Sequence, residues 1–364
     1  DYYELPIDDK KRIDSYIDER LNNSLSSDIN VQVEAIENYD DKLENIIAQL
    51  FKQSENIEKI SGLLSHFEQN TEWENQDPFF DIKRVIRAMK AIRAYLSSST
   101  AKVMLVMTNK NVKNDSGYDI FSRDILEQII GSLCEELNVG KPSSFYLQSV
   151  GFADQKDNYK KAIQCGERVI IFSSYQTAGT GQNLQYEIDE QEKDIDSLYL
   201  ELPTNILVNA QKLKEEKDLI KLIYQYEALK TSGEVSKNIS LNNIKVAFRK
   251  LMTSKLFERI ENYAYNTDSV NNHKLKILIQ AVGRICRTKN KGDIINIFVD
   301  EEIIKNINFS VIKGRKLNLE FKRIAEIGTQ TEKQVNSTHR NLNKACDSNA
   351  RVKTRIENML NENR

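Results

Sequence analysis

Two arginines in the run of residues 280–288 are the side chains in this sequence whose spacing most clearly suits chemistry. Four residues lie three to four positions apart, so on a helix they would share one face: Gln280, Gly283, Arg284 and Arg287. Guanidinium groups are permanently charged, planar and rich in donors, and two of them could neutralise charge on a phosphoryl group during transfer. The glycine would let a strand or a ligand come close. The plain alternative for this arginine run is an amphipathic helix with solvated arginines.

A second polar stretch, the glycine segment of residues 173–184, follows an apolar run that ends at Phe172. Its glycines expose backbone amides that can approach a phosphate or a ribose, and its short polar side chains can form hydrogen bonds. The residues of interest are Gly179, Gly181 and Asn183 for a nucleotide, and Ser174, Thr177 and Thr180 for a nucleic-acid backbone. A tight turn that binds nothing is the alternative for such a stretch.

Apolar runs that alternate with helical periodicity must position these two segments. Strands are predicted at residues 102–109, 145–148, 168–172, 197–202 and 294–299, and helices near residues 77–96, 118–138, 155–164 and 273–288. Regular alternation of this kind predicts an α/β fold, a doubly wound parallel sheet flanked by helices. Ligands meet such sheets at the carboxyl ends of strands, where the glycine segment is expected.

The remaining residues predict large all-helical additions to the sheet domain. Residues 1–76 are interpreted as helices without strand alternation, residues 206–272 as a charged helical insertion, and residues 315–364 as a basic helical tail. The sheet domain then comprises residues 77–205 and 273–314, and Asp77-Pro78 would begin its first helix. The basic tail could meet phosphate backbones, or it could pair with the acidic residues of 1–44.

The composition of the chain excludes several functional classes. With 364 residues, 40% of them hydrophobic and 29% charged, the sequence is typical of a globular protein with a buried core. No apolar run has membrane-spanning length and no signal peptide opens the chain, so we expect a cytoplasmic protein. The four cysteines and three histidines are scattered, which argues against a zinc site, a disulfide framework or a histidine base.

Taken in order, these segments resemble the second RecA-like lobe of superfamily-two helicases and translocases. Residues 280–287 match the sixth motif of that family, Q-x-x-G-R-x-x-R, at every fixed position. Residues 174–184 are similar to its fifth motif in the form G-x-G-x-N-L, and residues 103–109 stand where the strand of the fourth motif would be. The resemblance covers about residues 78–300, and the sixth motif is its specific part.

The resemblance implies a motor driven by ATP hydrolysis. Arg287, together with Arg284, would reach the ATP phosphates across a cleft as arginine fingers, and Gln280 would help to hold the nucleotide. The glycines and asparagine of the glycine segment would link the nucleotide to the bound strand, and its threonines would contact the strand's backbone. The implied partner is nucleic acid, with DNA preferred over RNA, and no membrane is implied.

The sequence departs from the helicase pattern in two ways. The insertion at residues 206–272 separates the fifth and sixth motifs unusually far, and the first lobe is missing because no GxxxxGK[ST] loop is present. Residues 299–302 mimic a magnesium-holding strand end, but they follow the arginine run and are interpreted as a strand exit. We therefore expect Mg²⁺ and most of the ATP to be held by a first lobe of the same protein.

A non-catalytic module remains the alternative to the motor. A retained lobe could serve as a scaffold for a partner effector protein or a nuclease, and a scaffold would not need the two arginines. Large helical additions are compatible, by analogy only, with a helicase of phage defence or of a restriction system.

Overall fold

A sheet of six parallel strands is the centre of the fold. The computed structural model describes residues 6–23, 29–34, 42–68, 79–114, 119–178, 184–204, 216–253, 267–288, 295–315 and 317–330. The sheet contains β1 (Ile29–Glu34), β2 (Val103–Thr108), β3 (Ser143–Tyr146), β4 (Val169–Ser174), β7 (Ser197–Leu200) and β8 (Ile295–Asp300). Their order is β1-β8-β7-β2-β4-β3, and each neighbouring pair is parallel. Two short strands, β5 (Tyr186–Ile188) and β6 (Gln191–Lys193), form a separate antiparallel hairpin.

Helices flank both faces of the sheet. Those before and within the sheet region are α1 (Ile7–Asn23), α2 (Leu43–Ala48), α3 (Ser54–Leu64), α4 (Phe80–Ser97), α5 (Arg123–Leu137), α6 (Phe152–Gln164) and α7 (Tyr175–Ala178). The later ones are α8 (Glu216–Thr231), α9 (Lys237–Thr253), α10 (Asp268–Val282) and α11 (Glu301–Asn306), and residues 319–330 are also helical. None of the described helices is long and apolar enough to cross a bilayer.

The central strands are buried on both sides, which is why their sequences are continuous apolar runs. Because successive side chains point to opposite faces, β2 contributes Met104 and Val106 to one core and Val103 and Leu105 to the other. The first core is covered by α2 to α5. The second contains residues of α6, α10 and the segment 309–324. The predicted parallel α/β sheet flanked by helices is thereby confirmed.

The prediction of helices alone for residues 1–76 is wrong at Ile29–Glu34. These residues form β1, which lies at the sheet edge and pairs with β8 from Ile29 with Ile295 to Glu34 with Asp300. The sequence INVQVE does alternate apolar β-branched residues with polar ones, which is typical of a strand with one buried face. The alternation is difficult to recognise as a strand because it is short and lies between segments with helical periodicity.

The arginine run is not a continuous helix, contrary to the prediction for residues 273–288. Helix α10 ends at Val282, and Gly283 follows as its C-cap. The next amides form tighter turns, from Arg284 to the carbonyl of Ala281 and from Ile285 to that of Val282. The helical predictions for residues 206–272 are confirmed for α8 and α9. Asp77-Pro78, residues 205–215 and 254–266, and the tail 331–364 lie outside the described residues.

Candidate functional site

The arginine turn, residues 283–288, connects α10 to the segment that leads to β8. Gln280, still on α10, is exposed, and Gly283 is partly buried. Arg284 is buried, with only 3% of its surface exposed, whereas Arg287 is half-buried. The four residues therefore do not share one exposed helix face, and Arg287 is the arginine with access to solvent.

A single buried carboxylate holds the arginine turn in place. Oδ2 of Asp194 accepts the backbone N–H of Arg287 at 2.8 Å and that of Thr288 at 2.7 Å. It also accepts the Thr288 hydroxyl at 3.1 Å. In a continuing helix these two amides would bond to carbonyls four residues earlier, so their capture by Asp194 holds the chain beyond α10 off the helical path.

Asp194 directly follows the β5–β6 hairpin, and the hairpin itself comes soon after the glycine segment in the chain. The side-chain amide of Gln185 donates to Oδ1 of Asp194 at 3.3 Å. The hydroxyl of Tyr159 on α6 donates to the carbonyl of Leu184 at 3.0 Å, so α6 fixes the same region. Helix α6, the hairpin and the arginine turn thus form one connected unit.

Cationic side chains of α6 lie near the arginine turn. Lys156 and Lys160 are one helical turn apart on α6, so they share a face, and both are half-buried. Burial lowers the pKa of Lys156, and the positive charges of Lys160 and Arg287 lower it further, while Asp157 partly offsets them. Lys156, Lys160 and Arg287 therefore contribute positive charge to one region of the fold.

Ser174 and Thr177 lie at the carboxyl end of β4 and bond to each other. The Ser174 hydroxyl accepts the backbone N–H of Thr177 at 3.2 Å and donates to the Thr177 hydroxyl at 3.1 Å. The Thr177 hydroxyl in turn donates to Oδ1 of Asn111, after β2, at 3.2 Å. Both side chains are buried, and they join the end of β4 and the start of α7 to the residues that follow β2, whereas contact with nucleic acid stays a prediction.

The two groups of predicted site residues lie at opposite ends of the parallel strands. Asp196, two residues after Asp194, accepts the backbone N–H groups of Lys102 at 2.8 Å and Val103 at 3.2 Å, where β2 begins. The arginine turn therefore lies near the amino ends of the strands, whereas Ser174 and Thr177 lie at the carboxyl ends. The connecting residues Gly179, Thr180, Gly181 and Asn183 lie outside the described residues, and their roles stay predictions.

Two arginines of α4 fill the carboxyl edge with ion pairs that the sequence did not reveal. Arg84 bonds Glu201, after β7, at 2.5 Å, and Arg87 bonds Asp300, at the end of β8, at 3.0 Å. Both arginine side chains are largely buried. Burial raises the pKa of Asp300 to about 6 even though Arg87 opposes the shift.

The end of β8 leads directly into α11, and both oxygens of Asp300 have protein partners there. Asp300 accepts the backbone N–H of Glu302 at 3.1 Å and so caps α11, while its other oxygen binds Arg87. In the part of the chain that the structure describes, no cluster of three or more His, Cys, Asp or Glu side chains could hold a metal ion. The described residues thus offer cations for a phosphate but no ligand set for Mg²⁺.

No model of a known protein family matches the chain, and no curated protein matches it either. The function is therefore inferred from the residues of the chain and their arrangement.

Proposed function

We propose that this chain is the second, RecA-like motor lobe of an ATP-dependent nucleic-acid helicase or translocase. The observation that carries the proposal is the run Q-x-x-G-R-x-x-R, whose final arginine lies on a turn anchored by Asp194 and near the cationic face of α6. A parallel sheet flanked by helices is compatible with a RecA-like lobe, although many other proteins share that architecture.

In this proposal Arg287 is the arginine finger. Its half-buried guanidinium would contact the γ-phosphate of an ATP that a first lobe presents, and it would neutralise the charge that develops during phosphoryl transfer. Lys156 and Lys160 would add positive potential without a fixed contact. Arg284 is buried, so in this structure it packs beneath the arginine turn. It would reach the phosphates only after the lobes close.

In this proposal nucleic acid is bound at the carboxyl ends of the strands, away from the arginine turn that faces ATP. The glycine segment leaves the carboxyl edge at Ala178 and re-enters the described chain at Leu184, beside α6 and the hairpin. It is therefore the stretch of chain that connects the proposed strand contacts to the arginine turn. The proposal includes ATP and Mg²⁺ bound mainly by the first lobe, DNA as the preferred nucleic acid, and a cytoplasmic location.

ATP turnover by the complete gene product, with and without single-stranded DNA, tests this proposal. We expect stimulation by DNA in the native protein, and a loss of about a thousandfold or more in Arg287→Ala, because a finger acts on the transition state. Arg12→Ala, on the exposed surface of α1, is the control that should keep full turnover. Equal turnover in the native protein and Arg287→Ala would refute the assignment.

One observation favours the scaffold as a second candidate function. The α8–α9 pair has its own small core, yet four of its large apolar side chains are exposed: Ile220, Tyr224, Leu241 and Phe248. Exposed apolar groups on a helical pair are typical of protein-binding surfaces. If the chain is a scaffold, Arg287→Ala will leave the biological readout unchanged, whereas polar substitutions at Tyr224 and Phe248 will abolish it.

A further inference from the structure

We infer that Asp194 is a positioning residue for Arg287, and that it sets the direction in which this side chain leaves the arginine turn. The inference rests on the proposed function, because orienting the Arg287 side chain matters for activity only if that side chain contacts a phosphate. Asp194 and Arg287 are 93 positions apart in the sequence, and the hydrogen bonds from the arginine turn bring them together.

The geometry restrains the backbone on both sides of the Arg287 α-carbon. One carboxylate oxygen receives the N–H of Arg287 and the N–H of Thr288, so the peptide planes before and after the side chain point at the same atom. The Thr288 hydroxyl adds a third bond to that oxygen. The two amide bonds are 2.8 and 2.7 Å long, and they fix two consecutive peptides rather than one.

The arginine turn has three consecutive buried residues next to the two captured amides. Arg284, Ile285 and Cys286 are consecutive and all buried, a pattern that the surface face of a regular helix cannot produce. The turn packs these three residues inward and leaves Arg287 at the edge. If the amides were released, the chain could continue helically, and Arg287 would rotate with it.

Asp194 is itself buried and tied to its own hairpin. Only 3% of its surface is exposed, and its second oxygen accepts from Gln185. The carboxylate therefore transmits the position of the β5–β6 hairpin to the arginine turn.

Asp196 offers a closely matched control. It is a buried aspartate in the same loop, and it also accepts two backbone N–H groups and a neighbouring hydroxyl. Its partners lie at the starts of β2 and β7 instead of the arginine turn. A substitution at Asp196 therefore reproduces the loss of a buried carboxylate without releasing Arg287.

The test compares Asp194→Asn with Asp196→Asn in the complete gene product, by amide hydrogen exchange and by steady-state ATP turnover. For Asp194→Asn we expect faster exchange confined to the arginine turn, and a kcat lowered about tenfold or more while KM changes by less than about threefold. Asp196→Asn should lower thermal stability and leave kcat within about twofold of the native value. Adding Asp194→Asn to Arg287→Ala should cause no further loss of kcat.

A milder variant covers the case in which Asp194→Asn does not fold. Thr288→Val keeps the shape of the side chain but removes one of the three donors to Asp194, so we expect the same effects at smaller size. Unchanged exchange at the arginine turn, or faster exchange with unchanged kcat, would overturn the inference. A native protein without ATP turnover would instead refute the proposed function, and the role for Asp194 with it.

Discussion

Glu136, on α5, holds three helices together through one side chain. It accepts the backbone N–H groups of Lys52 at 3.1 Å and Gln53 at 3.3 Å, where α3 begins, and it bonds Arg93 of α4 at 2.7 Å. Burial raises the pKa of Glu136, but the hydrogen bonds from Arg93 and the two amides outweigh burial and lower the pKa below its ordinary value.

Glu136→Gln is expected to destabilise the protein by about 2 kcal/mol at neutral pH, because charged hydrogen bonds are lost in a largely inaccessible site. A carboxylate with a lowered folded-state pKa stabilises the fold above the unfolded pKa, and this contribution disappears as pH falls through the folded value. The difference between the two proteins should therefore shrink below about pH 4. Urea unfolding at several pH values measures it.

Glu135→Gln is the matched control for this prediction. Glu135 is the neighbouring residue on α5, but its side chain is 68% exposed and its partner Lys59 is 3.5 Å away. Exposed ion pairs contribute little, so this variant should lose less than about 0.5 kcal/mol. Equal losses in the two variants would show that Glu136 does not join the helices as described.

At the scale of elements, the β5–β6 hairpin shows why part of the site was missed. Strands and helices with regular apolar periodicity were predicted near their observed positions, because core packing dictates those patterns. The hairpin strands have only three residues each, and their turn has Asp189-Glu190 instead of an Asn-Gly or Asp-Gly pair. Asp194 follows this hairpin, so no local sequence pattern indicates its role.

The turn itself carries conformational strain that a substitution should relieve. Asp189 and Glu190 have φ angles of 52° and 63°, as a two-residue hairpin of this kind requires. Because glycine adopts positive φ without steric cost, Glu190→Gly should stabilise the protein by about 1 kcal/mol.

Thermal and urea unfolding of Glu190→Gly measure that gain. The control is Glu187→Gly, which places glycine in the extended strand β5, where added backbone freedom should destabilise the protein instead. A loss of stability in both variants would contradict the described turn.

At the scale of the whole molecule, helices from the first segment share a core with the sheet. Ile46, Ile47 and Leu64 belong to the same buried cluster as Met104 of β2 and Ile170 of β4. The periodicity of the sequence indicates that these helices have an apolar face. It does not indicate which element that face packs against, because many different partners could cover the same apolar pattern.

Ile47→Ala should therefore destabilise the sheet as well as α2, by about 3 kcal/mol for a fully buried isoleucine. Hydrogen exchange should accelerate in β2 and β4 together with α2 and α3. Leu222→Ala, in the separate small core of the α8–α9 pair, should loosen that pair alone. Unchanged protection of β2 and β4 in Ile47→Ala would mean that residues 42–68 fold as an independent addition.

The candidate functional residues likewise combine features that local sequence predicts with features that long-range contacts determine. Sequence motifs could name Arg287 and the glycine segment as candidates, because chemistry restricts the residue types that such sites use, and their roles stay predictions. They could not predict the path of residues 287 and 288, because their amides bond to Asp194, a residue that lies far away in the sequence. Arg284 was grouped with Arg287 by helical spacing, and the same hydrogen bonds separate the two.

Binding of a transition-state analogue tests the central claim, that Arg287 is an arginine finger, most directly. The affinities of the complete gene product for ADP and for ADP with aluminium fluoride and Mg²⁺ are measured by titration, in the native protein and in Arg287→Ala. A finger contacts the transferring group, so the substitution should weaken binding of the analogue about a hundredfold or more and change ADP binding by less than about threefold. Equal changes in both affinities, or none in either, would contradict the account.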